Sequence, residues 1–312
     1  MSFAAVFPGQ GSQSIGMLAS FLPEYPEIKQ VFAEASEVLN YDLWELVQAG
    51  PDERLNSTER TQPALLAAGV ALWRLWQSSK GSKPAFMTGH SLGEYTALVC
   101  AGALDFKAAI KLVEFRGQAM QQAVPPGAGA MAAILGLEDE TVRLACMEAA
   151  QGQVVQAVNF NSPGQVVIAG EKPAVERAMA SCSAKGAKRA VLLPVSVPSH
   201  CALMRPAAGK LAARLADLQL KSPQIPIIHN VDVAAHADVA AIRQALKEQL
   251  YSPVRWAETV QSLASQGITK LVEFGPGRVL SGLTKRINKS VEAYPVYDPQ
   301  TLQAALAAVS TP

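Results

Sequence analysis

The pentapeptide Gly89-His90-Ser91-Leu92-Gly93 constrains this chain more than any other stretch. It fits the pattern G-x-S-x-G, in which a strand ends and a helix begins within a few residues. The serine then sits on a sharp, strained turn with its hydroxyl pointing out of the fold. The glycines are needed because side chains would clash at so tight a corner. Such an elbow demands a strand before it and a helix after it. Pro84–Thr88 reads as a short buried strand, and Ser91–Ala101 reads as a helix capped by Gly102.

The rest of the chain repeats that alternation. Phe3–Phe7 is a strand ending in the glycine-rich turn Pro8-Gly9-Gln10-Gly11-Ser12. Helical spacing of apolar residues marks Tyr25–Leu39, a helix opening at Thr61-Gln62-Pro63, and Phe106–Gln122, with Asp105 as N-cap. After the break Pro125-Pro126-Gly127 the rhythm changes. Gly129–Gly136, Glu138–Ala150, Val154–Phe160, Gln165–Ala169, Pro173–Ala184 and Arg189–Val195 read as β-α-β-β-α-β, with Asn161-Ser162-Pro163-Gly164 as the hairpin turn. Residues 126–196 are therefore expected to form an inserted ferredoxin-like domain. Residues 1–125 and 197–312 are expected to form a large α/β domain. Its later elements are helices Ala202–Leu218, Val239–Gln249 and Trp256–Gln266, with strands Ile225–Asn230 and, last, Leu271–Phe274. Strands alternating with helices imply an α/β-hydrolase-like domain with a mainly parallel sheet covered on both faces.

Composition narrows the class. With 49% hydrophobic residues, the 312-residue chain has ample material for a core, and its net charge of +1 gives no reason to expect nucleic acid or an anionic membrane as a partner. No apolar run approaches the roughly 18 residues of a membrane span, and the N-terminus lacks a basic signal region. Cys100, Cys146, Cys182 and Cys201 show no metal-ligand spacing and read as small buried residues, consistent with a reducing cytoplasmic setting.

A serine hydroxyl is a poor nucleophile until a base lies within hydrogen-bond reach. The chain has four histidines. His90 stands inside the elbow, so its side chain diverges from that of Ser91. His229 and His236 read as surface or capping residues. His200, held after Val197-Pro198-Ser199, is the best base, with an unperturbed pKa near 6.5. No Asp or Glu stands out as a third member, but a backbone carbonyl can also hold a histidine tautomer. Arg116, in an apolar helix, admits two readings. One is a surface arginine that snorkels; the other is a guanidinium turned into the pocket to bind a carboxylate.

Eight ordered motifs carry more than a pattern. FPGQGSQ (7–13), TQPALL (61–66), GHSLGEY (89–95), EFRGQAM (114–120), NFNSPGQVVIAG (159–170), VPSH (197–200), YSPVRW (251–256) and EFGPG (273–277) span nearly the whole chain. Together they resemble the malonyl-CoA:acyl carrier protein transacylase family of bacterial type II fatty acid synthesis. The resemblance implies Ser91 as nucleophile and His200 as its base, oriented by the backbone carbonyl of Gln249. It implies the backbone N–H groups of Gln10 and Leu92 as the oxyanion hole and Arg116 as the group that holds the malonyl carboxylate. It matches Gln62, Met120 and His90 to pocket positions, while His229 stands where a second polar amide would be expected.

The implied reaction is ping-pong transfer of malonyl from malonyl-CoA to the phosphopantetheine thiol of acyl carrier protein, in the cytoplasm, with no metal or cofactor. Malonyl-CoA and acyl carrier protein are the implied partners, without nucleic acid or membrane, and the protein is expected to be a monomer. A polyketide or malonate decarboxylase acyltransferase would share every motif. A serine esterase would share the elbow and base, and a non-catalytic carrier-binding module would need no serine. Lys185, Lys188 and Arg189 form a basic cluster that reads either as an ordinary solvated face or as a docking surface for an acidic carrier.

Overall fold

The computed structural model describes residues 2–195 and 197–310. Ser196, the last residue of the expected inserted domain, lies outside them, as do Met1, Thr311 and Pro312 of the expected large domain. The chain opens with β1 (Phe3–Phe7), then α1 (Glu27–Leu39), α2 (Leu43–Ala49), α3 (Asp52–Leu55) and α4 (Thr58–Ser78). Next come β2 (Phe86–Gly89), α5 (Gly93–Cys100) and α6 (Phe106–Gln122). The middle segment contains β3 (Gly129–Leu135), α7 (Asp139–Ala150), β4 (Val155–Ser162), β5 (Gln165–Glu171), α8 (Lys172–Ala184) and β6 (Arg189–Leu192). The chain closes with α9 (Arg205–Asp217), β7 (Ile227–Ile228), α10 (Val239–Gln249), α11 (Trp256–Ser265), β8 (Lys270–Phe274), α12 (Val279–Ile287), β9 (Glu292–Val296) and α13 (Pro299–Ser310).

Two sheets organise these elements. The first has the order β7-β2-β1-β8-β9, and every pairing in it is parallel. Its central strand β1 is buried at every residue, as a strand covered on both faces must be. The second sheet has the order β4-β5-β3-β6 with antiparallel pairings, which is the ferredoxin-like arrangement of a β-α-β-β-α-β unit. It has its own core, in which Ile134, Val166, Ile168, Val142 and Val175 are buried. The α/β fold class and the division into a parallel and an antiparallel sheet follow the sequence expectation.

In the large core, α4 is buried almost all round, from Thr61 to Trp76, because it packs between the sheet and other helices. Trp76 meets both Phe3 and Phe274, with ring centroids 5.9 and 5.3 Å apart. Asp105 caps α6 as its sequence suggests, its side chain accepting from the Ala108 N–H.

Several boundaries differ from expectation. Helix α4 begins at Thr58, not Thr61, because the Ser57 carbonyl already accepts from Arg60 and Thr61; Pro63 lies inside the helix. Asn161 and Ser162 continue β4 rather than forming the turn. Ile225–Asn230 is strand only at Ile227–Ile228, and Arg189–Val195 is strand only as far as Leu192. The helix from Ala202 starts as a 3₁₀ turn over Ala202–Met204 and becomes α9 at Arg205, with Pro206 in its first turn. Leu271–Phe274 is not the last strand. β9 follows it at the sheet edge; its half-exposed residues and Pro295 carry no buried-strand signal. Helices α2, α3, α12 and α13 were not foreseen. Cys100 is only half-buried, whereas the other three cysteines are buried.

Candidate active site

Parallel strands place the site. Phe7 of β1 is in register with Gly89 of β2, so the loops that follow both strands emerge side by side at the carboxyl edge of the sheet. The first loop carries Gln10 and the second is the elbow. A Cβ on Gly93 would overlap the Phe7 carbonyl, and one on Gly89 would overlap the Gly93 backbone. The elbow glycines are therefore demanded by close backbone approach. Ser91 has φ 51° and His200 φ 66°. Both lie in the left-handed region, which costs a non-glycine residue on the order of 1–3 kcal/mol and clusters at functional sites.

These two strained residues meet. Ser91 Oγ lies 2.8 Å from His200 Nε2. His200 Nδ1 lies 2.7 Å from the Gln249 main-chain carbonyl. A carbonyl can only accept, so Nδ1 carries the proton and Nε2 is left as the acceptor for the serine hydroxyl. No carboxylate takes part in this pair. His200 is 3% exposed, and burial, aided by the positive charge of Arg116, pushes its pKa down to about 3. This replaces the unperturbed value near 6.5 expected from sequence.

Arg116 is not a snorkelling surface residue; it is 1% exposed. Its guanidinium donates to Gln62 Oε1 at 2.8 Å, to Gln249 Oε1 at 3.0 Å and to Ser91 Oγ at 3.3 Å. The Tyr95 ring lies 5.2 Å from it, and its Nε has no partner. Among the described residues no carboxylate forms an ion pair with it. A buried guanidinium surrounded only by neutral acceptors carries an unpaired charge that an incoming anion would compensate.

Ser91, His200, Arg116, Gln62, Met120, His90, Gln10 and Leu92 all line one cleft of about 110 Å³. Met120 and Arg116 stand one helical turn apart on α6, and Gln62 donates to the Met120 sulfur at 3.6 Å. Leu193, Val195 and Val197 give the cleft an apolar wall on the side of the antiparallel sheet. Among the described residues the N–H groups of Gln10 and Leu92 have no protein acceptor, whereas the Ser91 N–H donates to Asn230 Oδ1 at 2.8 Å. Two free N–H groups beside a serine hydroxyl are suited to an anionic oxygen. His90 lies 2.8 Å from Asn161 Oδ1, which ties the elbow to β4 of the second sheet, and burial holds its pKa below the ordinary value. Gln249 is only indirectly part of the cleft: it holds His200 with its backbone and Arg116 with its side chain.

His229 is a correction. It is neither surface nor cap but fully buried, with Nδ1 2.6 Å from Glu94 Oε1. Burial alone would lower its pKa, but the charge and hydrogen bond of Glu94 outweigh that and raise it. Glu94 and Asn230, which hydrogen-bond around the elbow, were not singled out from the sequence. The one available signal for Glu94 was a carboxylate inside the otherwise apolar helix that follows the elbow, a residue type seldom fully buried unless paired. His236 pairs with Asp232 in a partly exposed loop, away from the cleft.

A family model, the acyl transferase domain, matches residues 5–299. The malonyl CoA-acyl carrier protein transacylase of Salmonella typhimurium is 60% identical over 97% of this chain and 98% of its own. The chain belongs to the malonyl CoA-acyl carrier protein transacylase family. The transacylase of Coxiella burnetii superposes with a TM-score of 0.98 at 52% identity, covering 100% of this chain and 98% of that one. A malonyl-transacylase solved in complex with its type II PKS acyl-carrier protein gives a TM-score of 0.98 at 60% identity, over 99% and 100% of the two chains. Membership of this transacylase family is consistent with a cleft that joins a serine–histidine pair to a buried arginine. Among the described residues no helix is long and apolar enough to cross a membrane, and no group of three or more His, Cys, Asp or Glu side chains is placed to hold a metal ion.

Proposed function

We propose that this protein transfers a malonyl group from malonyl-CoA to the phosphopantetheine thiol of acyl carrier protein, through an ester on Ser91. The observation that carries the reading is the buried, counterion-free guanidinium of Arg116, 3.3 Å from Ser91 Oγ. It would bind the free carboxylate of a malonyl thioester while the thioester carbonyl meets the hydroxyl.

In the first half-reaction Ser91 Oγ attacks the thioester carbon as His200 Nε2 takes the hydroxyl proton. The oxyanion is received by the N–H groups of Gln10 and Leu92, an arrangement typically worth about 3–4 kcal/mol per donor. Collapse breaks the C–S bond, and His200 returns its proton to the departing CoA sulfur. In the second half-reaction His200 takes the proton of the carrier thiol, whose sulfur attacks the malonyl ester. Collapse then frees Ser91, which regains its proton from His200. The scheme consumes no redox cofactor and routes no step through a metal, and it belongs in the cytoplasm with its two substrates.

Incubation with malonyl-CoA alone should add one malonyl group to the intact protein and release CoA as a burst. Ser91→Ala should abolish both, and an adduct that survives this substitution would sink the assignment. Fatty acid synthesis is the role we favour, as the resemblance of the eight motifs implies. The solved complex with a type II PKS carrier makes polyketide synthesis the second reading. Transfer rates to carriers of both kinds separate the two. A serine esterase would gain nothing from Arg116, so hydrolysis of a neutral ester faster than malonyl transfer would favour that reading.

A further inference from the structure

Behind the serine and histidine lies a buried cluster of polar side chains, apart from the Gln249 backbone that holds His200, that the mechanism above does not use. Glu94, His229, Asn230 and Gln249 are each 0% exposed. Glu94 comes from α5, three residues after the nucleophile, and its two oxygens accept from three groups. Oε1 accepts from His229 Nδ1 at 2.6 Å. Oε2 accepts from the Asn230 N–H at 3.0 Å and from Gln249 Nε2 at 2.9 Å. Asn230 in turn spans the elbow, donating to the Gly89 carbonyl at 2.7 Å and accepting from the Ser91 N–H at 2.8 Å.

Gln249 is the informative member. Its amide has one acceptor end and one donor end, and the two ends face opposite chemistries. The Nε2 donates to Glu94 and, at 3.0 Å, to the Ser91 carbonyl, both of which only accept. The Oε1 faces Arg116 Nη2 at 3.0 Å, which only donates. A flipped amide would set its NH₂ against the guanidinium and its carbonyl against a carboxylate. Only one orientation satisfies both sides, and buried amides of this kind are costly to leave unmet.

We propose that Glu94 is a positioning residue for malonyl selectivity: its carboxylate holds the Gln249 amide so that the Gln249 carbonyl aims the Arg116 guanidinium at the cleft beside Ser91. This rests on the malonyl-transfer reading above. Glu94 touches no reacting atom and acts only through Gln249 and Asn230. What it supplies is a correctly placed acceptor, not its charge. A glutamine at this position keeps that acceptor, because its NH₂ can turn toward His229. The imidazole can then accept at Nδ1 by moving its proton to Nε2, which is buried without a partner. An aspartate keeps the charge but withdraws the acceptor by one methylene.

The test measures kcat/KM for malonyl-CoA and acetyl-CoA in Glu94→Gln, Glu94→Asp and Gln249→Leu, below the melting temperature of each, with the intact-mass adduct assay on the parent protein alongside. The malonyl/acetyl ratio should stay within about threefold in Glu94→Gln and fall about tenfold in Glu94→Asp, the size of one lost hydrogen bond to a charged group. Gln249→Leu should lower it comparably with Glu94 intact, which also decides the matter if Glu94→Asp does not fold. A ratio kept in Glu94→Asp or in Gln249→Leu, or lost equally in Glu94→Gln, overturns the proposal. So does a fall of both rates by one factor, the mark of a merely structural role. A parent protein that forms no malonyl adduct overturns the functional reading and this inference with it. One that forms the adduct while the ratios behave otherwise than stated overturns this inference alone.

Discussion

His200 donates from Nδ1 to the Gln249 main-chain carbonyl at 2.7 Å, where many serine enzymes place a carboxylate. The difference has a chemical consequence. A neutral carbonyl fixes the tautomer but brings no negative charge to stabilise the imidazolium. Nothing around His200 then opposes the effects that lower its pKa, burial first, then the nearby Arg116 charge and His90, beyond its backbone hydrogen bonds.

The pH profile should show this. With a pKa of about 3, His200 stays neutral and able to accept a proton through the whole physiological range. The rate of CoA burst release should therefore be flat between about pH 5 and pH 8, without the inflection near 6.5 of an ordinary histidine. Arg116→Ala removes one lowering influence, so the acid limb should move up toward 6.5. A parent enzyme with an inflection at 6.5 would contradict the buried setting. Linkage has a matching sign. The unfolded chain binds a proton at His200 that the folded chain does not, so this residue's contribution to stability is present above about pH 6.5 and is lost as pH falls toward 3.

Arg116 should separate malonyl from acetyl. Hydrogen bonds to charged groups are worth roughly 1.5–3 kcal/mol, so Arg116→Ala should lower kcat/KM for malonyl-CoA about ten- to a hundredfold or more. It should also raise kcat/KM for acetyl-CoA, because the parent pocket leaves a buried charge unmet when acetyl binds. Arg116→Lys should rescue malonyl poorly, since an ammonium cannot reach Gln62, Gln249 and a carboxylate in the same fork geometry. Equal losses for both substrates would make Arg116 structural.

The elbow should tolerate no added methyl. Gly93→Ala would push a Cβ into the Phe7 carbonyl of the central strand, a backbone atom that cannot swing aside as a side chain can. We expect a loss of at least about 3 kcal/mol in urea unfolding, at the upper end of overpacking effects. A loss under about 1 kcal/mol would show that β1 and the elbow can separate without cost.

Carrier docking should depend on charge at the edge strand β6. Lys185 is already paired with Glu148 at 3.0 Å, which leaves Lys188 and Arg189 without ion-pair partners among the described residues. Reversing both to Glu should raise the KM for an acidic carrier protein several-fold and leave that for malonyl-CoA unchanged. The effect should shrink as salt rises, because such steering is screened over about 8–10 Å. Equal changes in both KM values would reject this face as the dock.

What the sequence determined by itself was whatever short-range chemistry dictates. The tight turn at Gly89, the Asp105 cap, the limits of Val239–Gln249 and the β-α-β-β-α-β order all follow from neighbours a few residues apart. The serine and its histidine were legible because so few residue types can do their chemistry. The tertiary structure alone decided the rest. Helical spacing left Arg116 open between surface and pocket, and only the packing of α6 against α4, with Gln249 arriving from the end of α10, buries it. Glu94 finds Asn230 and Gln249 at sequence separations of 136 and 155 residues, and His229 is buried by the same meeting. No periodicity encodes such partners, because a buried polar group is satisfied by whatever the fold brings beside it, and that is set by the parallel crossovers of the sheet rather than by its own neighbours in the chain.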